Sequence, residues 1–192
     1  MKIIRKSFYV NAPDIVAKKL LGKIIIRKYG NYMLSGRIVE TEAYFDQHDP
    51  ASRAAKSNKW LEKMLRDPGK TFVYMVHNNW LLNIIAHEKH YAGAVLIRAL
   101  EPLEGINIMK IFRNKNEEKT LTNGPGKLTQ ALKIDKTLDN IPVYKKNSPL
   151  IIADSEKEEK FEIARAFRIG VKKDLQEPMR FYIKDNEFVS KK

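Results

Sequence analysis

Two things are missing from the sequence: cysteine and any long apolar run. Without cysteine the chain can form no disulfide, thiolate zinc site or cysteine nucleophile, as expected for an intracellular protein. Its apolar runs are shorter than the roughly 20 residues that a membrane-spanning helix needs, so no membrane partner is expected. The amino-terminal MKIIRKSFYV has basic residues, but its apolar stretch is too short for a signal peptide. We therefore expect a soluble, intracellular protein.

Acidic residues are scarce relative to basic ones. The chain has 23 Asp and Glu against 36 Lys and Arg, which gives a formal net charge of +13. Such an excess favours a polyanionic partner, with nucleic acid first. A proteome that is rich in lysine throughout is the alternative explanation. The length of 192 residues and a hydrophobic content of 43% are typical of one domain, and we assign residues 1–192 to it.

The order of predicted elements indicates an α+β fold. Gly30-Asn31 and Asn78-Asn79 are predicted as the turns of two hairpins. Helices are predicted around NAPDIVAKKLLGK, SNKWLEKMLRDPG and LEGINIMKIFRN, and after GPGK. Short strands follow in the last third, and SEKEEK at 155–160 is predicted to be a solvated loop. Hairpins with interspersed helices favour a mostly antiparallel sheet.

The stretch GRIVETEAYF contains two carboxylates in an otherwise apolar strand. Side chains alternate along a strand, so Glu40, Glu42 and Tyr44 lie on one face. That face is either a solvent-exposed edge, or the wall of a cleft in which a glutamate acts as general base or metal ligand. A cleft requires a cationic partner, because an unpaired buried charge is costly.

Three arginines are candidates for that partner. Arg98 lies in the apolar strand LIRAL, where a buried guanidinium needs a carboxylate. Arg165 and Arg168 in ARAFRIG are its rivals. The histidines are not spaced as in a zinc site, so neither a metal nor a cofactor is expected; they are His48, His77, His87 and His90.

Two further stretches point towards nucleic acid. FVYMVHNNW is either an ordinary hairpin core or an aromatic platform beside a protruding turn, suited to stacking on a base. GPGKL is either a turn leading into a helix or a loop whose backbone N–H groups approach a phosphate. It is not a P-loop, since the spacing of that motif is absent. Together with the basic charge, these stretches suggest chemistry on nucleic acid.

GRIVETEAY, LIRALEPLEG and GPGKLTQAL, in this order, resemble the alkyladenine DNA glycosylase family, from about Phe8 to Tyr182. The resemblance implies a single domain with a curved sheet, packed helices and a protruding β-hairpin. It also implies a monofunctional enzyme that flips a damaged purine from duplex DNA and hydrolyses its N-glycosidic bond, initiating base excision repair. The lesions would be of the 3-methyladenine, hypoxanthine and ethenoadenine class. No metal or cofactor is implied, and we expect a monomer associated with DNA.

The resemblance also implies roles for residues of the pocket. Glu42 would be the general base that activates the water. Arg98 and the backbone carbonyl of Ile169 would help to hold that water. Tyr44 and Tyr74 would enclose the flipped base.

Other residues would exclude undamaged bases or contact the DNA. Asn83 would crowd the amino group of guanine, and Glu40 would be structural. The DNA contacts implied elsewhere are Met64, Gly126, Lys127 and Lys136.

The chain departs from the family pattern at two places. Arg53 stands where the family usually has a pocket histidine, and it either faces the pocket or turns outward to a phosphate. A permanent cation in the pocket would repel a cationic base such as 3-methyladenine, and would favour neutral hypoxanthine or ethenoadenine. HNNW is shorter than the corresponding family segment, so the wedge that fills the vacated base stack is His77 or Trp80.

Two other functions compete with the glycosylase. One is a non-catalytic protein of the same fold that binds damaged DNA. The other is a hydrolase of free nucleosides, which would account for Glu42 but not for the basic charge. DNA binding that weakens with salt distinguishes the glycosylase from this second alternative.

Overall fold

A curled antiparallel sheet forms the centre of the molecule, which confirms the predicted α+β fold. The computed structural model describes residues 1–156 and 160–191, and these contain eight strands and four α-helices. The strands are β1 (Ile24–Tyr29), β2 (Tyr32–Tyr44), β3 (Thr71–Val76), β4 (Asn79–Ile85), β5 (Ala94–Glu104), β6 (Leu150–Ala153), β7 (Ile163–Ala166) and β8 (Arg180–Ile183). The helices are α1 (Pro13–Leu20), α2 (Asn58–Met64), α3 (Ile106–Arg113) and α4 (Pro125–Ala131). Within the loop predicted at 155–160, residues 157–159 lie outside the described part of the chain.

The longest strand, β2, is the axis of the sheet. The main order is β3-β4-β5-β2-β1-β6, and β8 pairs with both β2 and β7. The first half of β2 therefore lies between β1 and β5, and its second half between β5 and β8. The β2–β5 register shifts on both sides of Glu40, and irregularities of this kind bend a strand. Glu42 and Tyr44 follow this irregularity at the end of β2.

The two predicted hairpins are present, and one turn is displaced by a residue. Gly30-Asn31 connects β1 and β2 as predicted, with Gly30 at φ 54°. In the second hairpin the turn residues are His77 (φ 45°) and Asn78 (φ 60°), so the predicted Asn78-Asn79 turn is wrong. Asn79 pairs with Val76 in the ladder, and its side-chain amide donates to the His77 carbonyl. This hydrogen bond connects the first residue of β4 to the turn.

The helices cover the sheet and bring separate segments together. α1 packs on β2 and β5, while α4 packs on β4 and β5 and also contacts α3. Beside α2, a smaller apolar cluster contains Met64 and Phe72, with the rings of Trp60 and Tyr74 against it. Within the described residues, no helix has the length and apolarity to cross a membrane.

Candidate active site

A cleft of about 1160 Å³ opens between the β3–β4 hairpin, the end of β2, the start of α4 and the segment 169–173. Tyr44 and Tyr74 contribute aromatic surface to it, and the backbone around Gly126 forms part of its rim. The other lining side chains are strongly cationic: Arg53, Lys56, Arg98, Arg113, Lys127, Lys172 and Lys173. A groove lined in this way is suited to a polyanion that presents an aromatic group.

Glu42 lies beside this cleft with no exposed side-chain surface. Its Oε1 accepts a hydrogen bond from the backbone N–H of Ile169 at 2.8 Å and lies 3.2 Å from Nη1 of Arg98. Its Oε2 accepts a hydrogen bond from the Tyr44 hydroxyl at 2.7 Å. The interpretation of this face as a solvent-exposed edge is therefore wrong, and the predicted pairing with Arg98 is present.

The surroundings of Glu42 act on its pKa in opposite directions. Burial raises the pKa of the carboxyl, and the nearby charge of Glu40 adds to this effect. Arg98, the Ile169 N–H and the Tyr44 hydroxyl lower the pKa by stabilising the anion, but burial prevails. A carboxyl with a raised pKa is a stronger base than an ordinary glutamate, which is what proton abstraction requires.

Glu40 shares Arg98 with Glu42 and also has buried partners of its own. Its Oε1 lies 2.8 Å from Nη1 of Arg180 and 3.4 Å from Nε of Arg98, and its Oε2 accepts a hydrogen bond from the Ser190 N–H at 2.7 Å. Glu40 is not among the residues that line the cleft. Sequence reasoning missed Arg180, although an arginine within the apolar stretch MRFYIK is the same signal that identified Arg98.

The rival arginines have other partners. Arg165 stacks on the ring of Phe181, with 5.6 Å between the guanidinium carbon and the ring centroid. Arg168 forms ion pairs with Asp49 and Asp174, each with a closest distance of 2.6 Å. Neither arginine is ion-paired with Glu42 in the described structure.

Both tyrosines of the cleft are supported by other side chains. The ring of Tyr74 lies 4.8 Å from that of Phe72 and 5.5 Å from that of Trp60. The guanidinium of Arg168 lies 4.6 Å from the centroid of Tyr44. Burial raises the pKa of both tyrosine hydroxyls, so both remain protonated at neutral pH. The Tyr44 hydroxyl is therefore a hydrogen-bond donor to Glu42.

Arg53 is among the residues that line the cleft, and its orientation towards a base or a phosphate stays a prediction. Its guanidinium carbon lies 4.9 Å from the ring centroid of Tyr74 and 5.6 Å from that of Trp60. Asn83 is only 2% exposed, and its side-chain amide donates to the Phe72 carbonyl at 3.1 Å. Asn83 thus lies behind the lining residues of the cleft, next to the strand that carries Tyr74.

At the tip of the hairpin, His77 and Trp80 differ in surroundings. His77 is exposed and lines the cleft. Trp80 is half-buried against the main hydrophobic core, and its carbonyl accepts a hydrogen bond from Thr129 on α4. Because the ring of Trp80 already packs against the core, its surroundings suit a wedge less well than those of His77, and the assignment of the wedge stays a prediction.

The residues implied as DNA contacts lie in three different environments. Gly126 and Lys127 line the cleft at the start of α4. Lys136 is exposed in the turn Lys136–Leu138 but is not among the lining residues. Met64 is 1% exposed within the smaller apolar cluster, so its side chain cannot contact DNA and that prediction is wrong.

Gly126 has a packing role as well as its place at the rim. A Cβ atom there would lie 2.8 Å from the side chain of Asn79. Gln130, one turn later, donates to Asn79 Oδ1 at 3.0 Å. This close approach joins α4 to the hairpin, and no local sequence pattern predicts it.

Several other cationic residues of the cleft were not predicted. They are Lys56, Arg113, Lys172 and Lys173. Arg113 is the last residue of α3, and the others lie outside the α-helices and strands. No local sequence pattern identifies such residues as parts of one cleft. Among the described residues, no group of three or more Asp, Glu, His or Cys side chains is arranged to hold a metal ion.

Comparisons with known proteins agree with this geometry. A family model described as "Methylpurine-DNA glycosylase (MPG)" matches residues 7–187. Over 192 aligned residues the chain is 42% identical to a protein of Aeropyrum pernix, covering 99% of this chain and 94% of that protein. It is 40% identical to a protein of Carboxydothermus hydrogenoformans, covering 99% and 100%. Both relatives carry the name "Putative 3-methyladenine DNA glycosylase".

A relative from Clostridium perfringens with the same name is 43% identical over 203 aligned residues, covering 97% of this chain and 98% of the other. The fold, the cleft and these matches define a DNA-repair hydrolase of N-glycosyl bonds. More specifically, the chain belongs to the methylpurine-DNA glycosylase family.

The position of Glu42 leads to a prediction about stability. Replacing Glu42 by Gln should raise the free energy of unfolding at pH 7 by about 0.5–2 kcal/mol, a common size for a stabilising substitution. Because burial raises the pKa of this carboxyl, its stabilising contribution is complete below the unfolded-state pKa and is lost as the pH rises through the folded-state pKa. Urea denaturation should show the advantage of Glu42→Gln at pH 7 and its decline towards about pH 4.

The exposed Glu88 provides a control, since Glu88→Gln should not produce this dependence on pH. A Glu42→Gln variant that is less stable than wild type at pH 7 would contradict the prediction.

Proposed function

We propose that the protein is a monofunctional DNA glycosylase that flips a damaged purine out of duplex DNA and hydrolyses its N-glycosidic bond. The observation that carries this proposal is the buried Glu42 carboxylate, held by Arg98 and the Ile169 N–H beside a basic cleft with two tyrosines. Binding alone would not need a buried base with a raised pKa. Membership of the methylpurine-DNA glycosylase family supports the same reaction.

In the proposed reaction, Glu42 removes a proton from a water molecule as the water oxygen forms a bond to C1′ of the damaged nucleotide. The bond between C1′ and the purine nitrogen breaks, and its electron pair leaves with the base. The sugar gains positive charge in the transition state, which the Glu42 carboxylate stabilises. Arg98 and the Ile169 carbonyl orient the water. The nucleophile is water and the base is a side chain, so the scheme uses no metal or cofactor.

Flipping is assigned to the aromatic and basic parts of the cleft. Tyr44 and Tyr74 stack on the extruded base, while His77 at the hairpin tip fills the space that the base vacates. Unstacking costs a few kcal/mol and is least unfavourable for a damaged or mispaired base, which contributes to selectivity. Lys127 and its basic neighbours hold the phosphates on either side of the lesion.

The position of Arg53 bears on which kind of damaged base the enzyme prefers. Its guanidinium lies against Tyr74 in the wall of the same cleft, so a base held by that tyrosine lies within a few ångströms of a permanent cation. Charge repulsion disfavours a base that already carries a positive charge. We therefore assign neutral purine lesions, such as hypoxanthine and ethenoadenine, as better substrates than cationic methylpurines.

The role of Glu42 predicts a large loss of activity in Glu42→Gln. Gln has nearly the same shape but cannot accept the proton, and removal of a well-placed general base lowers rates by about 10²–10⁴-fold. Single-turnover base release from duplexes with one hypoxanthine or one ethenoadenine measures this loss, with abasic sites revealed by alkali. Methylated DNA scored for released bases completes the substrate set.

The exposed Glu88 is the matched control, and Glu88→Gln should retain the wild-type rate. If wild type binds these duplexes but releases no base, the non-catalytic alternative replaces the glycosylase. Equal rates for wild type and Glu42→Gln would refute the assignment of the base.

Phosphate binding by Lys127 predicts a specific change in the salt dependence of DNA affinity. In Lys127→Ala, the slope of log K against log salt concentration should be less negative by about 0.9, since one phosphate contact is lost. The affinity should fall for damaged and undamaged duplexes alike. Fluorescence anisotropy at several salt concentrations measures both effects. Lys28→Ala, at an exposed site that does not line the cleft, should retain the wild-type slope, and an unchanged slope in Lys127→Ala would rule out this contact.

The charge of Arg53 predicts a change in lesion preference. Arg53→Gln should shift the ratio of single-turnover rates by about tenfold towards cationic 7-methylguanine and away from hypoxanthine, which corresponds to ~1.4 kcal/mol of charge repulsion. Arg53→Lys retains the positive charge and should retain the wild-type ratio. Equal ratios in wild type and Arg53→Gln would show that Arg53 does not select the lesion.

A further inference from the structure

We infer that Arg168 is a positioning residue of the reaction, which holds the Ile169 N–H on the Glu42 carboxylate and supports the ring of Tyr44 from behind. This inference rests on the proposed function, because it concerns the same base. Arg168 does not line the cleft and does not touch Glu42. It acts through the residue that follows it in the chain.

The guanidinium of Arg168 is completely buried and has several partners. Its Nη1 and Nη2 donate to the two carboxylate oxygens of Asp49 at 2.6 and 2.7 Å. Its Nε donates to Asp174 at 2.8 Å, and Nη1 also donates to the Ala43 carbonyl at 2.9 Å. One buried cation with two carboxylates and a carbonyl is held in a single orientation.

These bonds join three segments that meet at the cleft. Asp49 accepts hydrogen bonds from the backbone N–H groups of Phe45 and Ala51 at 3.0 Å, which fixes the loop after β2. Asp174 accepts a hydrogen bond from the Arg168 N–H at 3.0 Å, which closes the segment 168–174 on itself. The Ala43 contact ties that segment to the end of β2. The backbone of Ile169 is therefore fixed relative to the strand that carries Glu42.

Through the Ile169 N–H, the contacts of Arg168 affect the charge state of Glu42. The Ile169 N–H donates to Glu42 Oε1 at 2.8 Å, and this bond stabilises the ionised carboxylate. Loss of the Arg168 contacts frees the Ile169 backbone and weakens that bond. The other titratable or charged groups that face Glu42 from the surrounding strands are Glu40 and Tyr44 on β2, Tyr74 on β3, Arg98 on β5, and Arg180 on β8, which pairs with Glu40.

The sign of the effect distinguishes positioning from simple stabilisation. A hydrogen bond donated to a carboxylate lowers its pKa, so its loss raises the pKa of Glu42 further. The acidic limb of the pH–rate profile should then move to higher pH, by about one unit for one hydrogen bond to a charged group. A residue that only stabilises the fold reduces the amount of folded enzyme and leaves the pKa of Glu42 unchanged.

The experiment compares Arg168→Gln and Asp174→Asn with wild type. Single-turnover release of hypoxanthine across a pH series gives the acidic limb, and carbon-13 NMR of labelled glutamate side chains gives the titration of Glu42 directly. The Glu42→Gln variant assigns the resonance by its disappearance. We expect the limb and the NMR titration to shift upward together, by about one pH unit in Arg168→Gln and by less in Asp174→Asn, which retains the Asp49 pair.

Arg66→Gln is the matched control. Arg66 forms a partly buried ion pair with Asp139 at 2.9 Å, and neither residue lines the cleft. Its loss should lower stability without changing the titration of Glu42. A similar shift in Arg66→Gln would overturn the inference, because the effect would then follow from general loosening.

The remaining outcomes separate this inference from the proposed function. An unshifted Glu42 titration in Arg168→Gln overturns the positioning role, whatever the activity. If Arg168→Gln does not fold, Asp174→Asn decides the question by the same titration. If wild type releases no base from any duplex, the glycosylase proposal fails, and an upward NMR shift still supports Arg168 as the residue that positions Ile169 on Glu42.

Discussion

Arg98 lies between two glutamates that one strand carries into the interior. Glu40 and Glu42 have no exposed side-chain surface, and isolated charges in such a place are strongly disfavoured. Arg98 lies 3.4 Å from one carboxylate and 3.2 Å from the other, while Arg180 compensates the charge of Glu40. Two anions are thus matched by two cations from neighbouring strands. The arrangement requires β5 and β8 to flank β2 at this point. The order of strands in the sheet is therefore favoured by the pairing of these buried charges as well as by the burial of apolar residues.

The irregular register of β2 gives the two glutamates different surroundings. In a regular strand Glu40 and Glu42 would share one environment, since they are two residues apart. The register shifts on both sides of Glu40 change the local direction of the strand. Glu40 accepts the Ser190 N–H near the carboxyl terminus, and Glu42 meets Tyr44 and the Ile169 N–H beside the cleft. One carboxylate joins strands, and the other is left beside a space that a substrate can enter.

Local patterns predicted the parts of this structure that depend on neighbouring residues. The hairpins, the helix after GPGK and the pairing of a buried glutamate with Arg98 follow from turn residues, spacing and the cost of burying charge. Met64 shows the limit of such reasoning, because its helix could present it to DNA or to the core, and packing against Phe72 decided for the core. The turn at His77-Asn78 depended on the amide of Asn79, which bonds to the turn from within β4.

The long-range contacts of the cleft could not be predicted from local patterns. Asp49 and Arg168 are separated by 119 residues along the chain, and no spacing relates them. Similarly, the cationic rim is assembled from α3, α4 and irregular segments that meet only in the folded protein. The sequence showed that the chain is basic, while the fold determines where that charge is concentrated.

The site combines a destabilised anion with a rigid surrounding. Burial makes ionised Glu42 unfavourable, and this same property makes it a better base. The opposing contributions come from rigid donors: a guanidinium in the middle of the sheet, a tyrosine hydroxyl on the same strand and one backbone N–H. Two of these belong to strands, whose position is fixed by the ladder. The third, the Ile169 N–H, belongs to a loop. A loop has no ladder hydrogen bonds to fix its position, so other contacts must do so. In the role that we infer for it, the buried Arg168 supplies this fixation through its ion pairs with Asp49 and Asp174.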